Sequence, residues 1–467
     1  MQSRVKMQPE SDSNWMVPIE VMLGSLNHAE VQACSISIVA DELRAPKEDA
    51  FKPKVVSIGP LHRGTTRHIQ LTEETKWRYM REFLDRKGNQ EQNRRSELRL
   101  KDCGTEILNL CKIINASYGG NIESEPHELA KIMIVDGCFL LEFLHRLGDY
   151  MIKLAEGQRE SYSDDPIFQG HKNVLSVLND ITMLENQIPL IVLKKLYRKV
   201  FPDKSDINND HRVANIVREA FGYPATESSG GAHILNLIHL TTVQQDKDSR
   251  KGAKQELERC ATRLRAAGIT IEAIATSQRE LVDRFTFDIT FKDGVLKIPA
   301  LYVKQTTEVK WRNLIAWEQS KISIRCTYTS YALFFKGLIC CKHDIELLEE
   351  MGVIVNESKK KTEVLLKLFR TISKGAEHMD SSYSKLCADL NEYQRGKVTT
   401  VLQAMPIITW HNCRHVCQII WFYWRNWYKI LITDHIPTVW KFIGVVAAIA
   451  LLVLTIMQTY YSSRSAG

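Results

Sequence analysis

The stretch from Phe442 to Met457, FIGVVAAIALLVLTIM, constrains this chain more than any other: it carries no charge, and ten of its sixteen residues are Leu, Ile, Val or Phe. On an insertion scale those residues together favour a bilayer by roughly 3–6 kcal/mol. As a helix the run reaches about 24 Å, a little less than the ~30 Å hydrocarbon core. Val439 and Trp440 before it and Tyr460 and Tyr461 after it lengthen the segment. Aromatic residues at both ends match the interfacial belts of a span. Lys441 sits at the edge, where a long side chain snorkels to the headgroups. A buried core helix is the alternative reading. The expectation is a single transmembrane helix over 439–460, with Trp440, Phe442, Leu451, Met457 and Tyr460 in the anchor and the lipid bilayer as a partner.

Charge sets the orientation. Between Trp410 and Lys441 the bases are Arg414, Arg425, Lys429 and Lys441, against the single acid Asp434, and beyond the span only Arg464 is charged. By the positive-inside rule the large domain is cytosolic, and the plasma membrane is the expected location. The opening MQSRVKMQPESDSNW lacks the apolar core of a secretory signal, and neither myristoylation nor prenylation signals are present. Eleven scattered cysteines, an odd number, suit a reducing compartment better than a disulfide framework. The net charge of +7 is mild, and no basic run is interleaved with aromatics, so no nucleic-acid partner is expected.

Ahead of the anchor the chain reads as mainly α with a small β-hairpin element. Residues 1–34 are polar and expected to be partly disordered, 35–408 form a helical domain, 409–438 an aromatic and basic juxtamembrane segment, and 461–467 a short tail. In the domain, Val55-Val56-Ser57-Ile58 reads as a short strand closed by Gly59-Pro60. Thr72 opens a helix with Trp77, Met80, Phe83 and Leu84 on its buried face. Leu129–Leu147 is apolar almost all round, as befits a central helix. From Val174 to Ile191 an apolar stripe at three- and four-residue steps predicts another helix, kinked or ended by Pro189. Gly268 reads as a helix C-cap, and Asp293-Gly294 within alternating residues as a hairpin turn.

Six polar positions stand out against this apolar background. Asp136 interrupts the central helix, and a lone carboxylate there must be partnered or cost several kcal/mol. It is either a catalytic or binding acid, or a structural one satisfied by a backbone amide or an arginine. Glu185, Asn186 and Gln187 precede Pro189, where the two amides are placed to satisfy carbonyls that the proline frees. Arg312 and Glu318 lie in the helical run VKWRNLIAWEQ. Adjacent Cys340-Cys341, in an apolar context, read as structural. His411, Cys413, His415 and Cys417 lack zinc-ligand spacing, and the near-membrane Cys413 and Cys417 suit palmitoylation better. No phosphate-binding, dinucleotide, nucleophile-elbow, zinc-protease or EF-hand motif occurs, so no catalytic residue, cofactor or metal is assigned.

Several segments taken in order are familiar: FKPKVVSIGPLHRG at Phe51–Gly64, KWRYMREFL at Lys76–Leu84, MIVDGCFLLEFL at Met133–Leu144, LENQIPLIVLKKLY at Leu184–Tyr197, FKDGVLKIPAL at Phe291–Leu301 and RNLIAWEQ at Arg312–Gln319, then the C-terminal LTIMQTYY. The set resembles the plant family named domain of unknown function 247, over about residues 35–460. The SIGP motif is followed by Leu61-His62 where the family more usually has Tyr-His. The resemblance implies a plant protein with a mainly helical domain and a C-terminal membrane helix, and it supplies no catalytic residues. Family members have been connected with pollen–stigma self-incompatibility in grasses, which points to recognition. The leading functional expectation is a membrane-tethered, non-catalytic interaction or recognition component with an unidentified protein partner. The alternative is a membrane-surface enzyme using buried acids such as Asp136, Glu185 and Glu318.

Overall fold

The longest apolar run in the domain does become its central helix. The computed structural model describes residues 34–393 apart from 65–66, 87–91, 121, 123, 157–163, 203–205, 244–254, 276–283, 322–323, 378 and 380, and beyond these Leu451, Leu454 and Thr455. The N-terminal half holds α1 (Asp41–Arg44), α2 (Arg67–Asp85), α3 (Gln92–Asn109), α4 (Cys111–Ala116), α5 (Pro126–Ala155), α6 (His171–Asp180), α7 (Leu190–Val200), α8 (Asp206–Ala220) and α9 (Ile234–Thr242). α5 starts on Pro126, where the missing N–H costs nothing. It is ringed by α2, α3, α7 and α8, which is why Met133 to Leu144 is buried without a break.

The second half mixes small sheets with helices: α10 (Ala261–Ala266), β1 (Thr270–Ile274), β2 (Thr290–Lys292), β3 (Val295–Pro299), β4 (Leu301–Tyr302), α11 (Thr307–Gln319), α12 (Thr327–Leu338), α13 (Lys342–Glu350), β5 (Ile354–Val355), α14 (Thr362–Thr371) and α15 (Ser384–Glu392). β2 and β3 form the expected hairpin, with Asp293 and Gly294 at φ +52° and +77°. Two successive positive φ values are what a type I′ turn requires. β1 pairs parallel to β3, with Ile271 opposite Leu296, and β4 pairs parallel to β5. Gly268 ends α10 at φ +90°, as its position predicts.

Three expectations are corrected. Val55–Ile58 belongs to no sheet, and side chains occupy its pairing groups. The helix expected over Val174–Ile191 is two helices separated by an irregular stretch, and Pro189 caps the second rather than bending one. Trp77 is 45 % exposed, while Lys76 and Tyr79 take the buried face beside Met80 and Phe83.

Among the described residues no helix is long and apolar enough to cross a membrane. The expected span over 439–460 lies outside them, Trp440, Phe442, Met457 and Tyr460 included, except at Leu451, Leu454 and Thr455, which are helical with both leucines exposed. The expected juxtamembrane segment, with Cys413 and Cys417, also lies outside the described residues.

Candidate functional site

Four of the six predicted polar positions converge on one knot. The irregular chain between α6 and α7, residues 181–189, lies against the irregular strap 51–64. Neither has a sheet or helix to satisfy its amides, so buried side chains do it, as the near-universal pairing of buried backbone groups demands. Asn186 Oδ1 accepts from Ile58 N (2.7 Å), and Asn186 Nδ2 donates to the carbonyls of Val56 (3.0 Å) and Asp180 (2.9 Å). Its amide thus pairs with alternate strap residues as a neighbouring strand would. Gln187 Nε2 donates to the carbonyls of Ile181 (2.7 Å) and Met183 (2.9 Å), which lie just past the end of α6 and are not the carbonyl that Pro189 would free.

Asp136 reaches the same knot from α5. Its Oδ2 accepts from Gly59 N (2.8 Å) and its Oδ1 from Lys76 Nζ (2.8 Å), both side chains being buried. Burial pushes this carboxyl up, opposed by Lys76 and the Gly59 amide. Lys76 also donates to the Ser57 carbonyl and meets Glu73 at 2.7 Å. Gly59 sits at φ +75°, and a Cβ there would stand 2.6 Å from the Gln187 carbonyl oxygen, so only glycine fits. Glu185 accepts from Val39 N (2.7 Å) and pairs with Arg44 and with His62 (3.2 Å). Against its own desolvation, His62, the Val39 amide and Arg44 hold Glu185 below the ordinary carboxylate range.

Arg312 and Glu318 sit elsewhere, on α11. Arg312 donates to the Thr371 carbonyl (2.9 Å) and hydroxyl (2.8 Å) and pairs with Glu308, tying α11 to α14. Glu318 Oε1 accepts from Tyr328 N (2.9 Å) and lies 3.0 Å from His239 Nε2. Its Oε2 accepts from Thr329 N (2.8 Å) and Oγ1 (2.7 Å). This carboxylate closes the open N-terminus of α12.

Two residues of the knot escaped sequence reasoning. Asp180, the last residue of α6, takes three strap amides: Oδ2 accepts from Lys54 (3.1 Å), Val55 (2.7 Å) and Val56 (2.9 Å). Burial pushes its carboxyl up to about 6 against those donors. Lys76 was visible in principle, since Lys76, Tyr79, Met80 and Phe83 share helical spacing.

None of the six positions lines either of two cavities among the described residues. A cleft of about 530 Å³ is bordered by Tyr223, Arg284, Phe287, Arg325 and Tyr383, with Arg284 over the Tyr223 ring. An apolar groove of about 500 Å³ is walled by Trp77, Leu100, Leu108 and Ile134. Among the described residues one group sets ligand atoms at metal-binding spacing: Cys260, Cys340 and Asp344. Cys340, read from sequence as structural, is exposed.

The arrangement at the knot is therefore one of buried side chains pairing with backbone groups and holding irregular chain in place, while the Ser57 hydroxyl is buried without a hydrogen bond. Two proteins of Arabidopsis thaliana are similar along their length: UPF0481 protein At3g47200, 26% identical over 93% of this chain and 87% of its own, and Putative UPF0481 protein At3g02645, 21% identical over 96% and 94%. No solved structure matches. The family model described as "plant protein of unknown function" matches residues 36–454, and the chain belongs to that family, domain of unknown function 247.

Proposed function

We propose that this chain is a membrane-tethered, non-catalytic interaction component of the plant cell, its domain cytosolic and its C-terminal segment in the bilayer. The observation that carries the tether is the charge-free run Phe442–Met457 with aromatic residues on both sides. The non-catalytic part draws support from the knot. A general acid or base needs a proton-accepting atom facing substrate, whereas Asp136, Glu185 and Glu318 spend theirs on backbone amides, Lys76, Arg44 and hydroxyls. These contacts weigh against the enzyme reading at the three acids.

Fractionation of plant membranes tests the tether. The full chain should stay in the pellet through alkaline carbonate, and Leu451→Arg with Leu454→Arg should release it. Release of the unaltered chain by carbonate would sink the reading. The interaction part is tested by the native mass of the detergent-extracted protein from plant membranes. A mass no greater than one chain plus its detergent would count against a stable partner.

A further inference from the structure

The cleft of about 530 Å³ draws its walls from distant parts of the chain: Tyr223 after α8, the end of α9, residues 284–290 ahead of β2, Arg325 ahead of α12 and Tyr383 ahead of α15. Its volume lies within the range of about 300–1,000 Å³ that small-molecule sites occupy. Phe285 and Phe287, their rings 6.4 Å apart and nearly parallel, give it an aromatic border. Tyr328 and Tyr331 meet the Phe287 ring in T-shaped contacts at 4.8 and 5.2 Å, and the Tyr383 hydroxyl donates to the Phe287 carbonyl (2.8 Å). The border is thus fixed by its neighbours before any ligand arrives.

Two guanidiniums border the same space. That of Arg284 lies over the Tyr223 ring, 5.5 Å from its centre. Stacking of this kind engages the face of a guanidinium, whereas its five N–H donors lie in the plane and point outward. Arg325 donates from Nη2 to the Ser382 hydroxyl (2.9 Å), a contact that holds its head at the cleft wall. The lining holds a single acid, the exposed Asp288. Two arginines against one aspartate leave one positive charge in excess.

We propose that this cleft binds a small organic monoanion, a carboxylate carried on a flat ring system. A carboxylate matches the planar fork of a guanidinium, and its single charge matches the single excess charge of the lining. The flat body is the part that the aromatic border recognises, by stacking or edge contact with Phe287. A phosphate dianion fits less well, because it carries more charge than the lining offsets and meets Asp288 as a like charge. The site binds and does no chemistry, and it is independent of how the chain is held at a membrane.

The test is equilibrium dialysis of 2-naphthoate against the full chain in nanodiscs of zwitterionic lipid, with empty nanodiscs as the blank. Saturable binding of one 2-naphthoate per chain is expected. The neutral 2-naphthamide should bind at least about 10-fold more weakly, and inorganic phosphate should not displace the naphthoate. Arg284→Gln should weaken binding by about 10–100-fold with the circular dichroism unchanged. Asp288→Asn should tighten it by about 2–5-fold, a gain that a poorly folded chain does not produce. Lys336→Gln, exposed on α12 and outside the cleft, should leave it unaltered. No saturable binding, equal binding of the amide, displacement by phosphate, binding undiminished by Arg284→Gln, or binding weakened by Asp288→Asn would overturn the proposal.

Discussion

Asp180 ends α6 in the N-terminal half and Glu318 lies near the end of α11 in the other half. Both are buried carboxylates that collect orphaned backbone amides, yet they distribute the donors differently. On Asp180 one oxygen takes all three strap amides, and the other receives only a shared contact from Lys54. On Glu318 each oxygen takes an amide plus a second polar contact. An amide side chain has one accepting oxygen and one donating nitrogen. At Asp180 the second oxygen takes only the Lys54 contact that the first also takes, whereas at Glu318 each oxygen has an amide of its own. An amide side chain should therefore be tolerated better at the first than at the second.

The largest effect should come from a third carboxylate, where the partner is itself charged. Asp136→Ala leaves Lys76 buried with its main counter-ion gone, and stability should fall by about 3–5 kcal/mol in chemical denaturation. Adding Lys76→Met to that variant should recover a large part of the loss. A double variant as unstable as the single one would show that Asp136 acts through the Gly59 amide and not through the ion pair.

Glu318→Gln comes next. Whichever way the new amide turns, its nitrogen faces a donor, and a loss of about 2–3 kcal/mol should follow. An unfolding midpoint unchanged in Glu318→Gln would erase the contrast with Asp180.

At Asp180 the two replacements should separate. Alanine strands the strap amides and should cost about 2–3 kcal/mol, whereas asparagine keeps the accepting oxygen and should cost under about 1 kcal/mol. The pH dependence sharpens this. The folded state holds the Asp180 proton up to about 6, against 3.8 ordinarily. The folded chain therefore binds more protons in that interval, and stability from this group is full below pH 3.8 and lost as pH rises to about 6. Relative to the unaltered chain, Asp180→Asn should gain stability between about pH 4 and about pH 6.5. A constant difference across that range would mean that the three amides hold the carboxylate ionised throughout.

What could be read from the residues follows the same division between local and distant partners. Asp293-Gly294 and Gly268 were legible because a turn or a helix end needs only its own few residues, whereas the chain between α6 and α7, read as one helix, was not. Asp136 was recognisable as an anomaly that needed a partner, but Lys76 could not be named as that partner. Val55–Ile58 has the composition of a strand, and nothing local says that Asn186 and Asp180 will stand in for the neighbouring strand. The parallel pairings β1–β3 and β4–β5 and the meeting of Cys260 with Cys340 depend on crossovers that periodicity does not encode. Trp77 was misplaced because it and Lys76 compete for one helix face, and the buried ion pair with Asp136 decided it.

The smallest effect should fall on the hairpin, where the partners are all local. Gly294 sits at φ +77°, and a Cβ there would approach Tyr393 Oη to 2.5 Å. That oxygen ends a long side chain near the edge of the domain and can move aside, which leaves the left-handed backbone as the main cost. Gly294→Ala should therefore lose about 1 kcal/mol, and Gly294→Asn less, because asparagine tolerates this conformation. Gly59→Ala shares the positive φ but meets the Gln187 backbone oxygen at 2.6 Å, which cannot swing away. It should cost clearly more than Gly294→Ala by thermal melting. Equal losses at the two glycines would mean that the strap yields as readily as a hairpin tip, and that the side chains around it do not hold it rigidly.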